Sequence, residues 1–199
     1  AKHFGCVYVD TGAMYRAVTY FGQLQTTDGS IDINLLIDSL PQISIDFEHT
    51  KNGQQTFLNG ENITDSIRQS KVNDKVSDVA SVPEIRSFLV DIQKKMGSSK
   101  GVIMDGRDIG TIVFPEADYK FFLIASPKIR AKRRYEEQQK AGITETLKEV
   151  LANITARDHQ DSTRTVTPLK KAKDAIEIDV SYMSIDDVFN VLIESIVKS

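Results

Sequence analysis

Four stretches carry residue types and spacings suited to chemistry. In "VYVDTGAMYRAV" (7–18) an apolar run ends in Asp10-Thr11-Gly12, and Arg16 follows four residues after Gly12. Thr11 offers a hydroxyl and Gly12 a backbone amide near a helix N-terminus, a setting that suits an anion or a polar ligand. A capped helix with a surface arginine is the plain alternative. In "DGRDIG" (105–110) two aspartates flank Arg107 directly after another apolar run. Arginine forks onto phosphate and a carboxylate receives amino groups, while the glycines let backbone and ligand approach. A structural turn with a salt bridge is the alternative there.

"SPKIRAKRRYEEQQKAG" sets Arg130, Arg133 and Arg134 on one helix face, where like charges repel unless an anion offsets them. A polyphosphate ligand explains that cluster better than the neighbouring Glu136 and Glu137. "TARDHQDSTRTVTPL" spaces Arg157, Asp161 and Arg164 along one face if helical, where a salt-bridge ladder is also a fair reading. Ser77 and Arg86, taken singly, read as parts of a solvated helix face. Seven of the nine arginines fall in these segments. Phosphoryl transfer calls for such a gathering, since arginines and Mg²⁺ stabilise charge spread over the phosphoryl oxygens.

The elements that hold these stretches follow from periodicity. "CVYVD" (6–10), "GVIMD" (101–105), "YKFFLIA" (119–125) and "AIEIDV" (175–180) read as strands. The second and third show little polar alternation, as strands covered by helices on both faces should. Helices are predicted from Gly12 to Gly22, over 31–40, over about 65–95 with a break at Val82-Pro83, from Ser126-Pro127 to Ala141-Gly142, and from Thr144 to the Arg157 region. A last helix follows Ser184, with Asp187 completing a capping box. Between them "ISIDF" and "QTFLN", with turn signals Asn52-Gly53 and Asn59-Gly60, predict a small antiparallel insert over 41–63. Strands alternating with helices imply an α/β fold with a parallel sheet, whose ligands lie beyond the carboxyl ends of the strands.

Composition narrows the class. The 199 residues are 40% hydrophobic and 27% charged, an ordinary globular balance. The formal charge of −3 offers no global basic field for nucleic acid. The apolar runs are far shorter than the ~20 residues that span a bilayer, so no membrane is expected. No basic-then-apolar signal opens the chain, and the single cysteine, Cys6, excludes a disulfide framework; a cytoplasmic protein is expected. Cys6 reads as a buried strand residue rather than a nucleophile.

Taken in order, "VDTGAMYR", "LNGENITDSIR", "MDGRDIGTIVFPEADYKFFLIAS", "RAKRR" and "ARDHQDSTRTVTPL" resemble the bacterial cytidylate kinases, P-loop nucleoside monophosphate kinases, over essentially the whole chain. The resemblance implies transfer of the γ-phosphate of ATP, with Mg²⁺, to CMP or dCMP by a monomer. It implies that Ser77, Arg86 and Asp108 contact cytosine and that Arg157 and Asp161 contact the sugar. Arg16, Arg107 and Arg164 would hold the monophosphate, with Thr11 and Tyr15 shaping the pocket. Arg130, Arg133 and Arg134 would close on the ATP phosphates. Arg107, Arg130, Arg134 and Arg164 are then the expected catalytic charges, and no residue is assigned to metal. It also implies a core of residues 1–40 and 97–199 with a lid over about 126–165, and a monophosphate-binding lobe over 41–96.

One motif of that family has no counterpart in these residues. No G-x-x-x-x-G-K-[ST] loop is present to cradle the donor phosphates. The expectation at this point is that about twenty residues precede Ala1 in the working protein, carrying that loop and a central strand. The alternative function is a chain that binds CMP without kinase activity.

Overall fold

The computed structural model describes every residue except Asn52, Ser99, Lys100, Ala141, Lys198 and Ser199. The described residues form two compact units, Ala1–Val113 and Phe114–Ser199, each treated by itself.

The first unit opens with β1 (Val7–Asp10) and α1 (Thr11–Leu24). Asp10 caps the helix, its Oδ1 accepting from Ala13 N at 2.8 Å. An aspartate at this position satisfies one of the first-turn amides that no helical carbonyl reaches. Gly22 does not end α1 as expected. It lies inside the helix, where a β-carbon would come within 3.1 Å of Leu36. Leu36 belongs to α2 (Ile33–Ser39), capped by Asp32. The antiparallel insert follows as β2 (Ile45–Thr50), β3 (Gly53–Leu58) and β4 (Glu61–Asn62), in that order across the sheet. Of the two turn signals read from sequence, Asn59-Gly60 joins β3 to β4, with Asn59 at φ 50 and Gly60 at φ 83. Asn52 of the other lies outside the described residues.

The long helix expected over 65–95 is broken in its first half. A 3₁₀ turn (Ser66–Arg68), α3 (Ser70–Asn73) and α4 (Val76–Val79) precede α5 (Pro83–Gly97). None of those three short elements has a side-chain cap. Valine, serine, asparagine and aspartate are poor helix formers, so local propensity gives way to tertiary packing. Ile67, Val72, Val76 and Val79 each turn inward and are at most 2% exposed. β5 (Val102–Asp105) and a π-helical turn (Ile109–Val113) close the unit.

β5 runs parallel to β1 in the register Val7↔Val102 to Asp10↔Asp105, so two aspartates end the two strands side by side. The core lies between β1, α1 and the elements around them. Val9, Met14, Ala17 and Val18 meet Leu36, Ile63, Ile67, Ile85 and Leu89 there. Each such aliphatic side chain contributes about 1.5–3 kcal/mol by leaving water.

The second unit contains β6 (Phe121–Ile124), α6 (Pro127–Lys140), α7 (Leu147–Thr163), β7 (Ile176–Asp179) and α8 (Ile185–Val197). β6 and β7 are parallel, and α6 packs on α7. The start of α7 differs from expectation. Thr146, not Thr144, is the cap, with Glu149 completing a capping box, and the helix continues past Arg157 to Thr163. The capping box predicted at Ser184 and Asp187 is present. The end predicted for α6 at Ala141-Gly142 falls partly outside the described residues.

The fold class stands as read: α/β, with parallel strands flanked by helices and a small antiparallel sheet. The burial predicted for the second and third strands does not. Among the described residues β5 and β6 are half-buried or exposed, with Leu123 at 48%. Among the described residues each has one hydrogen-bonded neighbour, so less of its surface is covered than in a wide sheet. Cys6 likewise is half-buried and precedes β1. The expected lobe over 41–96 falls wholly within the first unit.

Candidate functional site

In the first unit the candidate residues gather where β1 and β5 end. The capping aspartate Asp10 also pairs with Arg16, one turn into α1, at 3.0 Å. Gly12 permits that approach, since a β-carbon there would sit 3.1 Å from both Arg16 Nη1 and Asp10 Oδ1. Arg16 Nε is buried and has no hydrogen-bond partner among the described residues. A buried donor left unmatched costs about 1–3 kcal/mol, so an acceptor from a ligand would be favoured there.

Thr11 does not offer its hydroxyl outward. It is 3% exposed and donates to the Asp105 carbonyl at 2.7 Å, tying the two strand ends together. Gly106 makes room for that bond. A β-carbon at 106 would lie 2.4 Å from Thr11 Oγ1 and 2.9 Å from the Ile109 side chain. Gly106→Ala is therefore expected to cost about 1–3 kcal/mol by overpacking. That loss lowers the melting temperature by about 2–4 °C per kcal/mol in a protein of this size. A thermal melt unchanged within about 1 °C would contradict it.

The reading of Arg86 as part of a solvated face is overturned. Arg86 is 3% exposed and pairs with Asp108, 5% exposed. Its Nη1 also donates to the Ala80 carbonyl at 2.9 Å, and its guanidinium lies 5.4 Å from the Tyr15 ring centroid. The sequence positions 86 and 108 thus meet as one buried unit under Tyr15, which is itself buried. Ser77 sits half-buried on α4, and Arg107 is exposed between Gly106 and Asp108.

Sequence reasoning did not single out Tyr8. Its Oη donates to Asp105 Oδ1 at 2.8 Å. Desolvation, the nearby Asp105 charge and this hydrogen bond together push the phenol well above its usual range. Asp105 is raised too, chiefly by desolvation and further by Asp10. The Tyr8 bond and the Arg107 and Arg16 charges work against that rise. Nothing in the local sequence marks Tyr8, because its partner lies 97 residues away.

In the second unit Arg130 and Arg133 of α6 are held by groups of the protein itself. Arg130 forks onto Asp158 of α7, with Nη1 to Oδ1 at 2.9 Å and Nη2 to Oδ2, and its Nε donates to the Ala125 carbonyl at 3.0 Å. Arg133 Nη2 donates to the carbonyls of Val180, Ser181 and Met183 at 2.8, 3.1 and 3.1 Å. Glu136, weighed earlier as an offset for these arginines, instead lies 3.9 Å from Lys132. Arg134 is exposed on α6. Arg157 and Asp161 lie on α7, and Arg164 is its C-cap. Arg164 reaches Asp161 at 3.4 Å and donates from Nε to the Thr167 carbonyl at 2.8 Å, with both side chains of the pair about nine-tenths buried. Leu169 N donates to the Asp161 carbonyl at 2.7 Å, folding the 164–169 loop back onto the helix end.

Comparison with known proteins adds to this geometry. Residues 1–198 match the family model described as cytidylate kinase. The chain is similar to the cytidylate kinase of Lactiplantibacillus plantarum, 46% identical over 198 residues that cover 100% of this chain and 86% of that protein. It is similar to the cytidylate kinase of Flavobacterium johnsoniae at 45% identity, covering 98% and 86% respectively. The cytidylate kinase of Bacillus subtilis is 43% identical over 96% of this chain and 84% of its own length.

Proposed function

The chain belongs to the cytidylate kinase family, and from that premise we propose how its residues divide the reaction. The reaction is phosphoryl transfer from ATP to CMP or dCMP, giving CDP or dCDP and ADP. The observation that carries the division of roles is Arg16, braced by Asp10 and left with a buried unmatched Nε at the strand ends. An acceptor phosphate supplies the oxygen that this donor lacks. Arg107 of the same unit joins the hold on that phosphate, and bidentate arginine contact keeps its oxygens oriented for in-line attack.

Arg86 and Asp108 read the cytosine edge with Ser77. Their ion pair fixes which of them donates and which accepts, so a base with the reversed pattern leaves a buried group unmatched. Arg157 and Asp161 take the sugar hydroxyls, and Thr11 and Tyr15 shape the wall of the pocket. Arg130, Arg133 and Arg134 face the donor phosphates. Arg134 is the exposed member, whereas Arg130 and Arg133 exchange their protein partners for phosphate or hold the helix that carries it.

Mg²⁺ fits this residue set as an ion that arrives on ATP. Among the described residues no three ligating side chains cluster, and Mg²⁺ on a nucleotide needs only one or two carboxylates beside phosphate and water. When bound, the ion neutralises charge on the donor phosphates. No helix among the described residues is long and apolar enough to cross a membrane. The working form proposed here is a cytoplasmic monomer acting on free nucleotides, with no nucleic-acid partner.

Titration calorimetry with CMP tests the acceptor assignment. Arg107→Ala is expected to weaken CMP binding by about 1.5–3 kcal/mol, a tenfold to hundredfold rise in Kd, as loss of a hydrogen-bonded charge does. An unchanged Kd would refute that role.

A further inference from the structure

We infer that His49 and Gln54 of the antiparallel insert, acting through Tyr8, are positioning residues for the acceptor-phosphate site. In β1, Val7 N donates across to Gly101 at 2.8 Å, so it is the odd-numbered residues that face β5. The peptide groups of Tyr8 point to the opposite edge. There Tyr8 N donates to His49 Nε2 at 3.3 Å, and Tyr8 O accepts from Gln54 Nε2 at 2.7 Å. His49 and Gln54 stand directly opposite each other in the β2–β3 ladder. Directly opposed residues share one face of a sheet, so the two side chains grip the backbone N–H and C=O of one residue from one cross-strand pair. They pair at Tyr8 the edge groups that an added strand would otherwise pair.

The grip continues toward the site. The Tyr8 ring lies 6.5 Å from the His49 ring, and its hydroxyl holds Asp105 Oδ1 at 2.8 Å. Asp105 stands in register with Asp10, which caps α1 and braces Arg16. Hydrogen bonds thus join the insert to the edge of β1 and Tyr8 to Asp105, and the parallel register sets Asp105 beside Asp10, which braces Arg16. Displacing the hairpin displaces Tyr8, and with it the brace on Arg16. This inference rests on the reading of Arg16 as the monophosphate ligand.

The grip also fixes a tautomer. Nε2 of His49 accepts, so the ring proton lies on Nδ1. In nucleotide-free protein, nitrogen-15 NMR of the neutral His49 ring is expected to show a bare Nε2 and a protonated Nδ1. A proton on Nε2 would overturn the inference without reference to any nucleotide. In the intact enzyme, the double variant His49→Ala/Gln54→Ala is expected to raise KM for CMP about tenfold and leave KM for ATP within about twofold, as loss of two hydrogen bonds that act on one substrate does. His49→Gln, which keeps an acceptor beside an intact Gln54, is expected to stay within about twofold of wild type. A purely structural role would lower the melting temperature and the active fraction and leave the ratio of the two KM values unmoved. Equal changes in both KM values, or none, would overturn the inference. Tyr8→Phe removes only the bond to Asp105 and serves where the double variant does not fold. It is expected to raise KM for CMP about threefold, and an unchanged value would count against the inference. Failure of the wild type to turn over CMP would overturn the acceptor reading instead, and the tautomer would still decide the grip.

Discussion

Truncating Arg86 to alanine is expected to destabilise the protein by about 3–5 kcal/mol, because it leaves Asp108 charged and alone where water does not reach. Arg86 is 3% exposed and Asp108 5%, and the guanidinium also meets the Ala80 carbonyl and the Tyr15 face. The loss is a large share of the ~5–15 kcal/mol that holds a domain folded. Replacing both partners together, as Arg86→Met/Asp108→Leu, removes the uncompensated charge and is expected to be neutral or stabilising by up to about 4 kcal/mol. Both variants are expected to lose CMP selectivity. Urea unfolding of the three proteins reads the stability difference, and CMP affinity reads the function. A single variant within about 1 kcal/mol of wild type would show that the pair is not desolvated as described. A double variant that kept CMP selectivity would show that the pair is structural only.

The second large effect falls on Arg164. Its side chain is about nine-tenths buried, and its Nε and Nη1 are aimed by the Thr167 carbonyl and by Asp161. A cation so fixed needs no reorganisation when charge develops on a transferring phosphoryl group, and removal of one such donor costs about 10²–10³ in kcat. Arg164→Ala is expected to lose that much with CMP saturating. Arg164→Lys is not expected to recover it, because a compact ammonium cannot make the two-pronged contact. A kcat within about fivefold of wild type for the alanine variant, with the fold intact, would contradict the assignment.

What the sequence disclosed, and what it did not, follows the range of the interactions. β1, α1, the insert and α8 were legible because their signals are local: an aspartate or serine one residue ahead of a helix, or Asn-Gly between alternating strands. The short helices over 70–79 were not, because their residues form helix only where the core around α1 takes up Val72, Val76 and Val79. The arginine clusters drew attention, but their partners in the fold were hidden. Asp158 lies 28 residues from Arg130, and the carbonyls that hold Arg133 lie 47 to 50 residues on. Arg86 and Asp108 are 22 residues apart on a helix without a side-chain cap and a turn, so Arg86 looked solvated until the fold joined it to Asp108. Thr11 was read as a ligand hydroxyl. Its bond to a carbonyl 94 residues away makes it a strut instead.

The central claim is that this chain's arginine-lined strand ends belong to an enzyme that phosphorylates CMP. The most direct test is ADP release from Mg-ATP by the intact protein, measured in parallel with CMP, dCMP, UMP and AMP as acceptors. ADP release that depends on CMP or dCMP and falls away with AMP is the result expected. Release no faster with CMP than with no acceptor, from protein shown to be folded, would contradict the claim.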